Sequence, residues 1–409
     1  MKVAFLAPAY PAEMPEFVRG LAEVGAHVIG IGDQPVASLA RSVRRHLGDH
    51  IQVTSLLNED LLVKEATAAL RNTGVERVEA LWEPLVIAAA RIREALGLPG
   101  MSVDTVHGFR DKQLMKERIA AAGLRVPHSR RVRKASDAWA AAEEIGYPLI
   151  LKPIDGAGSA DTFRVNDRKE LDAALALMGH VAEASCEEFI EAREFTYDTI
   201  CVDGRPVYEN VAQYLPRPLA ARTNEWISPV ICTVRDMSHP SIQKGLALGR
   251  GALKALGMGT GFTHMEWYLK EDGEVVFGEV GARVGGARLV DQMNYTSDVD
   301  LYREWARAVC TGEVGPRTGA AARKYNCAII FKRARGQGVV NTIRGLDPFM
   351  QRHGSWVLVD TLSRPGQRRR DWKATLISDG YLIVRHPEWS GAMQIAGDAA
   401  RNIALFAGG

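Results

Sequence analysis

The stretch 262–286, FTHMEWYLKEDGEVVFGEVGARVGG, constrains the chain more than any other. Two apolar, strand-forming runs flank Asp272-Gly273, and Asp-Gly between such runs is the strongest short-range hairpin signal. With Asp272 and Gly273 as the two turn residues, Glu266 stands directly across from Glu279, and a four-residue loop over 271–274 keeps that register. A three-residue loop would shift it. One face then carries Met265, Trp267, Leu269, Val276 and Val280, an apolar set suited to a core. The other carries His264, Glu266, Tyr268, Phe277 and Glu279. Directly opposed residues have Cβ atoms about 5 Å apart, and like charges there destabilise a sheet. Two readings fit. Either a cation lies between the carboxylates, with hard oxygen ligands suiting Mg²⁺ beside substrate phosphates, or the two glutamates lie on a solvated hairpin face.

A chain of 409 residues exceeds one ordinary core, so two to four domains are expected. With 46% hydrophobic and 24% charged residues it has a globular composition, and a net charge of +2 gives no case for a nucleic-acid or membrane surface. The basic run Arg364, Arg368, Arg369, Arg370 is a local exception, read as a solvated loop or an anion contact. Five scattered cysteines without CxxC pairing suit reduced thiols and a cytoplasmic setting. The short apolar run within 1–8 suits a first strand rather than a secretory leader. No apolar stretch approaches membrane-spanning length.

The first 105 residues alternate strand and helix: strands over 2–6, 26–31 and 78–82, and helices over 13–24, 59–71 and 84–96. This predicts a parallel α/β layer. No GxGxxG follows the first strand, so a dinucleotide fingerprint is missing. Glu83 falls at the carboxyl end of a strand, where open α/β sheets place ligands. It is read as a helix-start glutamate or as a group binding a substrate amine.

Asp111-Lys112 opens a helix over 111–122, and a lysine in a first turn opposes the helix dipole unless an anion is near. A second helix is expected over 136–145, capped by Ser136. The strand 148–153 ends in Lys152 and leads into Asp155-Gly-Ala-Gly-Ser-Ala-Asp161. Such a glycine loop either turns backbone N–H groups toward a phosphate or forms an ordinary hairpin. It is not a Walker A motif, since no GxxxxGK[ST] occurs. The strands 186–190 and 194–202 enclose a turn with Glu187, Ile190 and Glu194. A strand edge and turn can supply the acceptor and donor that adenine needs; surface glutamates on an edge strand are the plainer alternative.

Four segments, DKQLMKERIAAAGLRVP, PLILKPIDGAGSADT, EEFIEAREFTYD and HMEWYLKEDGEVVFGEVGARVGG, occur in that order. Together they resemble the ATP-grasp superfamily, in its carboxylate–amine ligase branch, and are most similar to L-amino-acid ligases. The resemblance spans essentially the whole chain and implies an α/β and α+β fold of three parts. These are an N-terminal parallel α/β (pre-ATP-grasp) domain over 1–105, an ATP-grasp domain over 106–320 and a small C-terminal α+β module over 321–409. The ATP-grasp domain would divide into a lid subdomain, 106–185, and a larger subdomain, 186–320. The resemblance implies that Lys112 and Lys152 contact ATP phosphates under a loop containing Gly156, Gly158 and Ser159. It implies that Glu187 and the backbone near Ile190 hold adenine, that Glu194 holds ribose and that Phe277 packs on the base. Glu266 and Glu279 would hold Mg²⁺, with Mn²⁺ as the alternative metal, and Arg283 would face the γ-phosphate or acyl phosphate. Many relatives have asparagine two residues beyond the second metal glutamate; here that position is Gly281.

Arg288 is a candidate for a substrate carboxylate, or for a plain salt bridge. The segment 214–234, with Arg217, Arg222, Asn224, Glu225 and Trp226, reads as a loop entering a strand, and either lines a substrate pocket, with Asn224 and Trp226 as candidate contacts, or is ordinary surface. Helices are expected over 241–256, 298–310 and 390–406, and short strands over 326–332, 356–360, 374–377 and 382–384. The implied activity is ATP-dependent amide formation through an acyl phosphate, with small-molecule carboxylate and amine partners, no nucleic acid or membrane, and a homodimer as the candidate assembly. A ligase for non-amino-acid carboxylates or larger peptides, and a non-catalytic ATP-binding protein, are the rival readings.

Overall fold

The computed structural model describes residues 1–154 and 161–408. The first hundred residues form a four-stranded parallel sheet in the order Asp49–Gln52, His27–Gly32, Lys2–Leu6, Arg77–Glu79. The continuous apolar runs of its inner strands are what a sheet covered on both faces requires. Met14–Glu23 packs on one side, burying Phe17, Val18 and Leu21, and Glu59–Leu70 and Val86–Leu96 pack on the other.

Two antiparallel sheets follow. The smaller has the order Ser129–Val132, Ala184–Glu188, Leu149–Pro153, Phe163–Val165. The larger has eight strands: Val275–Gly281, Gly261–Leu269, Arg193–Val202, Arg205–Leu215, Val230–Thr233, Asn326–Phe331, Tyr381–His386, Val357–Asp360. Its last three strands come from beyond residue 320, so the C-terminal segment extends this sheet. Pro240–Leu256 covers part of it, burying Leu246, Leu253 and Leu256 beside Trp267 and Phe277. Among the described residues all five cysteines are free, and no helix is long and apolar enough to cross a membrane.

Several local expectations differ from the structure. The helix expected from Ser136 begins at Ala135, and the Asp137 carboxylate accepts from the amides of Arg133 and Lys134, so Ser136 is not the cap. The final helix is Trp389–Asn402, and Ala404–Gly408 is a strand pairing with Val339–Arg344, because Leu405 is drawn into the core of the C-terminal segment. Residues 374–377 form successive turns rather than a strand, with Thr375 N donating to Asp371 O and Ser378 N to Thr375 O. A helix over Leu289–Ser297 precedes Leu301–Thr311, and the break falls at Asp298, whose φ is 50°. The segment after Leu215 contains the helix Pro218–Thr223, with proline at its first position where a missing N–H costs nothing.

Candidate active site

The hairpin reaches the expected pairing by an unexpected route. Lys270 N donates to Glu274 O and Gly273 N to Lys270 O, both at 3.0 Å, so the loop is the three residues Glu271-Asp272-Gly273. Gly273 supplies the left-handed residue at φ 82°. That loop pairs Trp267 with Phe277. One irregularity, with Gly278 as the extra residue, then restores the shift, and Glu266 stands across from Glu279. A Cβ on Gly278 would lie 2.7 Å from Glu266 O, so only glycine fits the bulge. Gly278→Ala should destabilise the protein by ~1–3 kcal/mol through this overpacking. It should also cost more than about tenfold in turnover by moving Glu279 relative to Glu266. Urea denaturation and ADP release measure the two effects separately.

The bulge also corrects the expectation for Phe277. The shorter loop puts Phe277 across from Trp267, fully buried in the apolar cluster with Met265, Leu269 and Val280. It therefore faces the core and not a nucleotide base. Val276 stands across from Tyr268 instead.

Glu266 and Glu279 open onto a cleft between the two antiparallel sheets. Lys112, Lys152, Glu187, Ile190, Glu194, Arg217 and Tyr268 also line it. Lys112 begins the helix Lys112–Ala121 behind its Asp111 cap, and its Nζ lies 3.8 Å from Glu279 Oε2. Lys152 Nζ lies 3.3 Å from the same oxygen and 3.2 Å from Glu187 Oε2. Lys116 Nζ donates to Glu187 Oε1 at 2.6 Å, in a pair whose side chains are 2% and 5% exposed. Three lysines thus face Glu187 and Glu279.

These contacts set the protonation pattern. Burial pushes Glu279 up, but Lys112 and Lys152 outweigh it and hold the carboxyl well below the usual range. Burial likewise opposes ionisation of Glu187, yet Lys116 and Lys152 bring it down to about 2. Lys116 bears the cost: burial lowers it to about 8 against the attraction of Glu187. Glu266 is raised by burial and by Glu279, with the Tyr214 hydroxyl donating to it at 3.1 Å. Burial, then Glu266, raises Glu194 to about 7 although Arg217 Nε donates to it at 2.9 Å. A carboxyl raised on folding contributes stability that is present below its unfolded value of 4.5 and is lost as pH rises through about 7. Thermal melts at pH 5 and pH 8 should therefore show the wild type losing stability relative to Glu194→Gln as pH rises.

The other predicted site residues fall as follows. Glu83 accepts from Arg110 Nη1 at 2.5 Å and from Arg283 Nε, so it joins two guanidinium groups. Arg283 is close enough to Glu279 and Glu266 for both to favour its charged form. The Glu187 carboxylate, expected at adenine, ends between Lys116 and Lys152, because alternation along Ala184–Glu188 turns it toward those lysines and turns Glu188 to Arg125. Arg288 takes other partners: its amide donates to Glu13 Oε1 at 2.7 Å and its guanidinium pairs with Asp291. Asn224 and Trp226 do not line the cleft. The Asn224 amide donates to Ala220 O at the end of its helix, and Trp226 is 75% exposed. Gly156, Gly158 and Ser159 lie outside the described residues. His264 is a supporting group, its Nδ1 2.5 Å from Asp198 Oδ1. Sequence reading missed Lys116, although Lys112 and Lys116 are four apart and share a helix face.

The site can hold a divalent cation on chemical grounds. Two opposed, part-buried carboxylates press Glu266 toward its protonated form, and a hard cation relieves that repulsion. Among the described residues no cluster of three or more His, Cys, Asp or Glu side chains is placed to hold a metal ion, and Glu266 and Glu279 are the pair that faces across the hairpin.

Residues 109–212 match the ATP-grasp domain family. The chain is 23% identical over 265 residues to the L-arginine-specific L-amino acid ligase of Bacillus subtilis, an alignment spanning 63% of each chain. The solved L-amino acid ligase of Bacillus licheniformis superposes with a TM-score of 0.78 at 20% identity, covering 100% of this chain and 99% of that one. The biotin carboxylase domain of Hydrogenobacter thermophilus 2-oxoglutarate carboxylase, solved with MgADP, ADP and bicarbonate, superposes at 0.70 with 18% identity, covering 99% and 90%. The order of the segments, the two antiparallel sheets flanking a lysine- and carboxylate-lined cleft, and these likenesses agree: residues 109–212 match an ATP-grasp domain, and the chain is similar to the L-amino-acid ligases.

Proposed function

We propose that the chain is an ATP-dependent carboxylate–amine ligase acting on amino acids and using Mg²⁺. The observation that carries this reading is the convergence of Lys112, Lys152, Glu266 and Glu279 on one cleft. In the proposed reaction a substrate carboxylate oxygen takes the γ-phosphoryl group of ATP, giving an acyl phosphate and ADP. An amine then attacks the acyl carbon, phosphate leaves, and the nitrogen loses a proton. Phosphoryl transfer asks a protein mainly for alignment and charge neutralisation, and no side-chain nucleophile is needed.

Glu266 and Glu279 would hold the metal, which supplies charge neutralisation for the phosphate oxygens when bound. Lys112 and Lys152 now share Glu279. Anionic phosphates beside them would exchange one negative partner for another, so both lysines can hold the substrate without being left buried and unpaired. Arg283, kept in place by Glu83, is the cation proposed to meet the transferred phosphoryl group. The three-part domain division expected from the sequence is retained in this proposal, with the C-terminal segment bordering the amino-acid site and helping to set substrate size.

The testing experiment is ADP release with Mg²⁺ and ATP across single amino acids and pairs. Release that requires an amino acid, with a dipeptide detected by mass spectrometry, is expected. Nucleotide binding without any amino-acid-dependent ADP would sink the ligase reading.

A further inference from the structure

Arg217 lies between the strand Arg205–Leu215 and the helix Pro218–Thr223, and its side chain enters the cleft. Its Nε donates to Glu194 Oε2 at 2.9 Å and its Nη1 to the carbonyl of Ile190 at 2.7 Å. Its guanidinium lies 4.9 Å from the ring of Phe189 and 5.1 Å from that of Tyr268. A guanidinium is flat, donates hydrogen bonds in a fixed fork and stacks on aromatic faces. Adenosine offers the same features: a flat ring, an exocyclic amine that donates, and ribose hydroxyls that donate. The groups that the resemblance implies for them, the backbone near Ile190 and the Glu194 carboxylate, are where Arg217 already bonds, at the Ile190 carbonyl and at Glu194 Oε2.

We infer that Arg217 is an internal occupant of the nucleoside end of the cleft, displaced by the incoming adenine nucleotide, so that it sets nucleotide affinity by competition. This rests on the ATP-dependent reading above. The exchange is one of side chain rather than of the segment. Arg333 Nη1 donates to the carbonyls of Ala221 and Asn224 at 2.8 and 2.9 Å and fixes the end of the helix that follows Arg217. The sign of the effect is distinctive. An arginine in a cleft that takes a polyanion ordinarily strengthens binding, so its removal should weaken it. Competition for the nucleoside acceptors requires the reverse.

The test is calorimetric titration of the full chain with ADP and, separately, with inorganic tripolyphosphate, both with Mg²⁺. Arg217→Ala should bind ADP about tenfold more tightly than wild type, since two charge-assisted hydrogen bonds no longer have to be broken. It should bind tripolyphosphate no more tightly, because that ligand has no nucleoside. Arg217→Lys, which keeps the charge and loses the fork, should fall between them for ADP, and it decides the matter should the alanine variant not fold. Unchanged or weaker ADP binding by the variants, with normal binding by wild type, overturns this inference and leaves the ATP reading standing. An equal gain for tripolyphosphate also overturns it. Failure of the wild type to bind ADP overturns both.

Discussion

Glu279→Gln should lower Mg²⁺·ATP-dependent turnover by about a thousandfold or more, equivalent to ~4 kcal/mol of transition-state stabilisation, while the protein stays folded. Glutamine keeps the size and the backbone pairing with Glu266 but removes the charge. In the free protein that charge is the one Lys112 and Lys152 share, at 3.8 and 3.3 Å. With nucleotide it would be a ligand to the metal beside Glu266, and the amide of glutamine is a far weaker partner for a hard cation than a carboxylate. The measurement is ADP release against Mg²⁺ concentration, alongside thermal melting. Near-normal turnover at ordinary Mg²⁺ would remove Glu279 from the metal site. Because the Glu266 carboxyl is raised partly by Glu279, the variant should also leave Glu266 ionised at lower pH.

The second large effect concerns stability. Glu187→Leu should destabilise the protein by ~3–5 kcal/mol in urea denaturation, because it leaves Lys116 buried without its carboxylate. The pair is 2.6 Å apart, almost wholly out of water, and Ser185 Oγ also donates to Glu187 at 2.8 Å. Lys152 would lose one of its two anchors as well, so nucleotide affinity should fall. The double variant Glu187→Leu/Lys116→Met should recover most of the stability, since replacing a whole buried ion pair by apolar groups is close to neutral. It should not recover nucleotide affinity, because Lys152 still lacks Glu187. A double variant as unstable as the single one would mean that packing around Glu187, rather than its charge, holds this strand.

The sequence by itself determined the parallel α/β start, the hairpin and its opposed glutamates, and the lysines at Lys112 and Lys152. These depend on local patterns: apolar periodicity, an Asp-Gly turn, and a helix that opens on Asp111. The pairing of Glu266 with Glu279 was legible although the loop length assumed for it was not the one found. The three-residue loop and the Gly278 bulge each shift the register by one residue and cancel at the glutamates. They do not cancel between the turn and the bulge, which is why Phe277 is in the core. Only the tertiary structure decided which partners the charged groups take. Lys116 meets Glu187 across 71 positions, Glu83 meets Arg283 across 200, and Arg217 reaches Glu194 from the turn beyond the neighbouring strand. A residue's periodicity tells which face it occupies, but the charge opposite it is set by how separate sheets close on one cleft, and no local pattern encodes that.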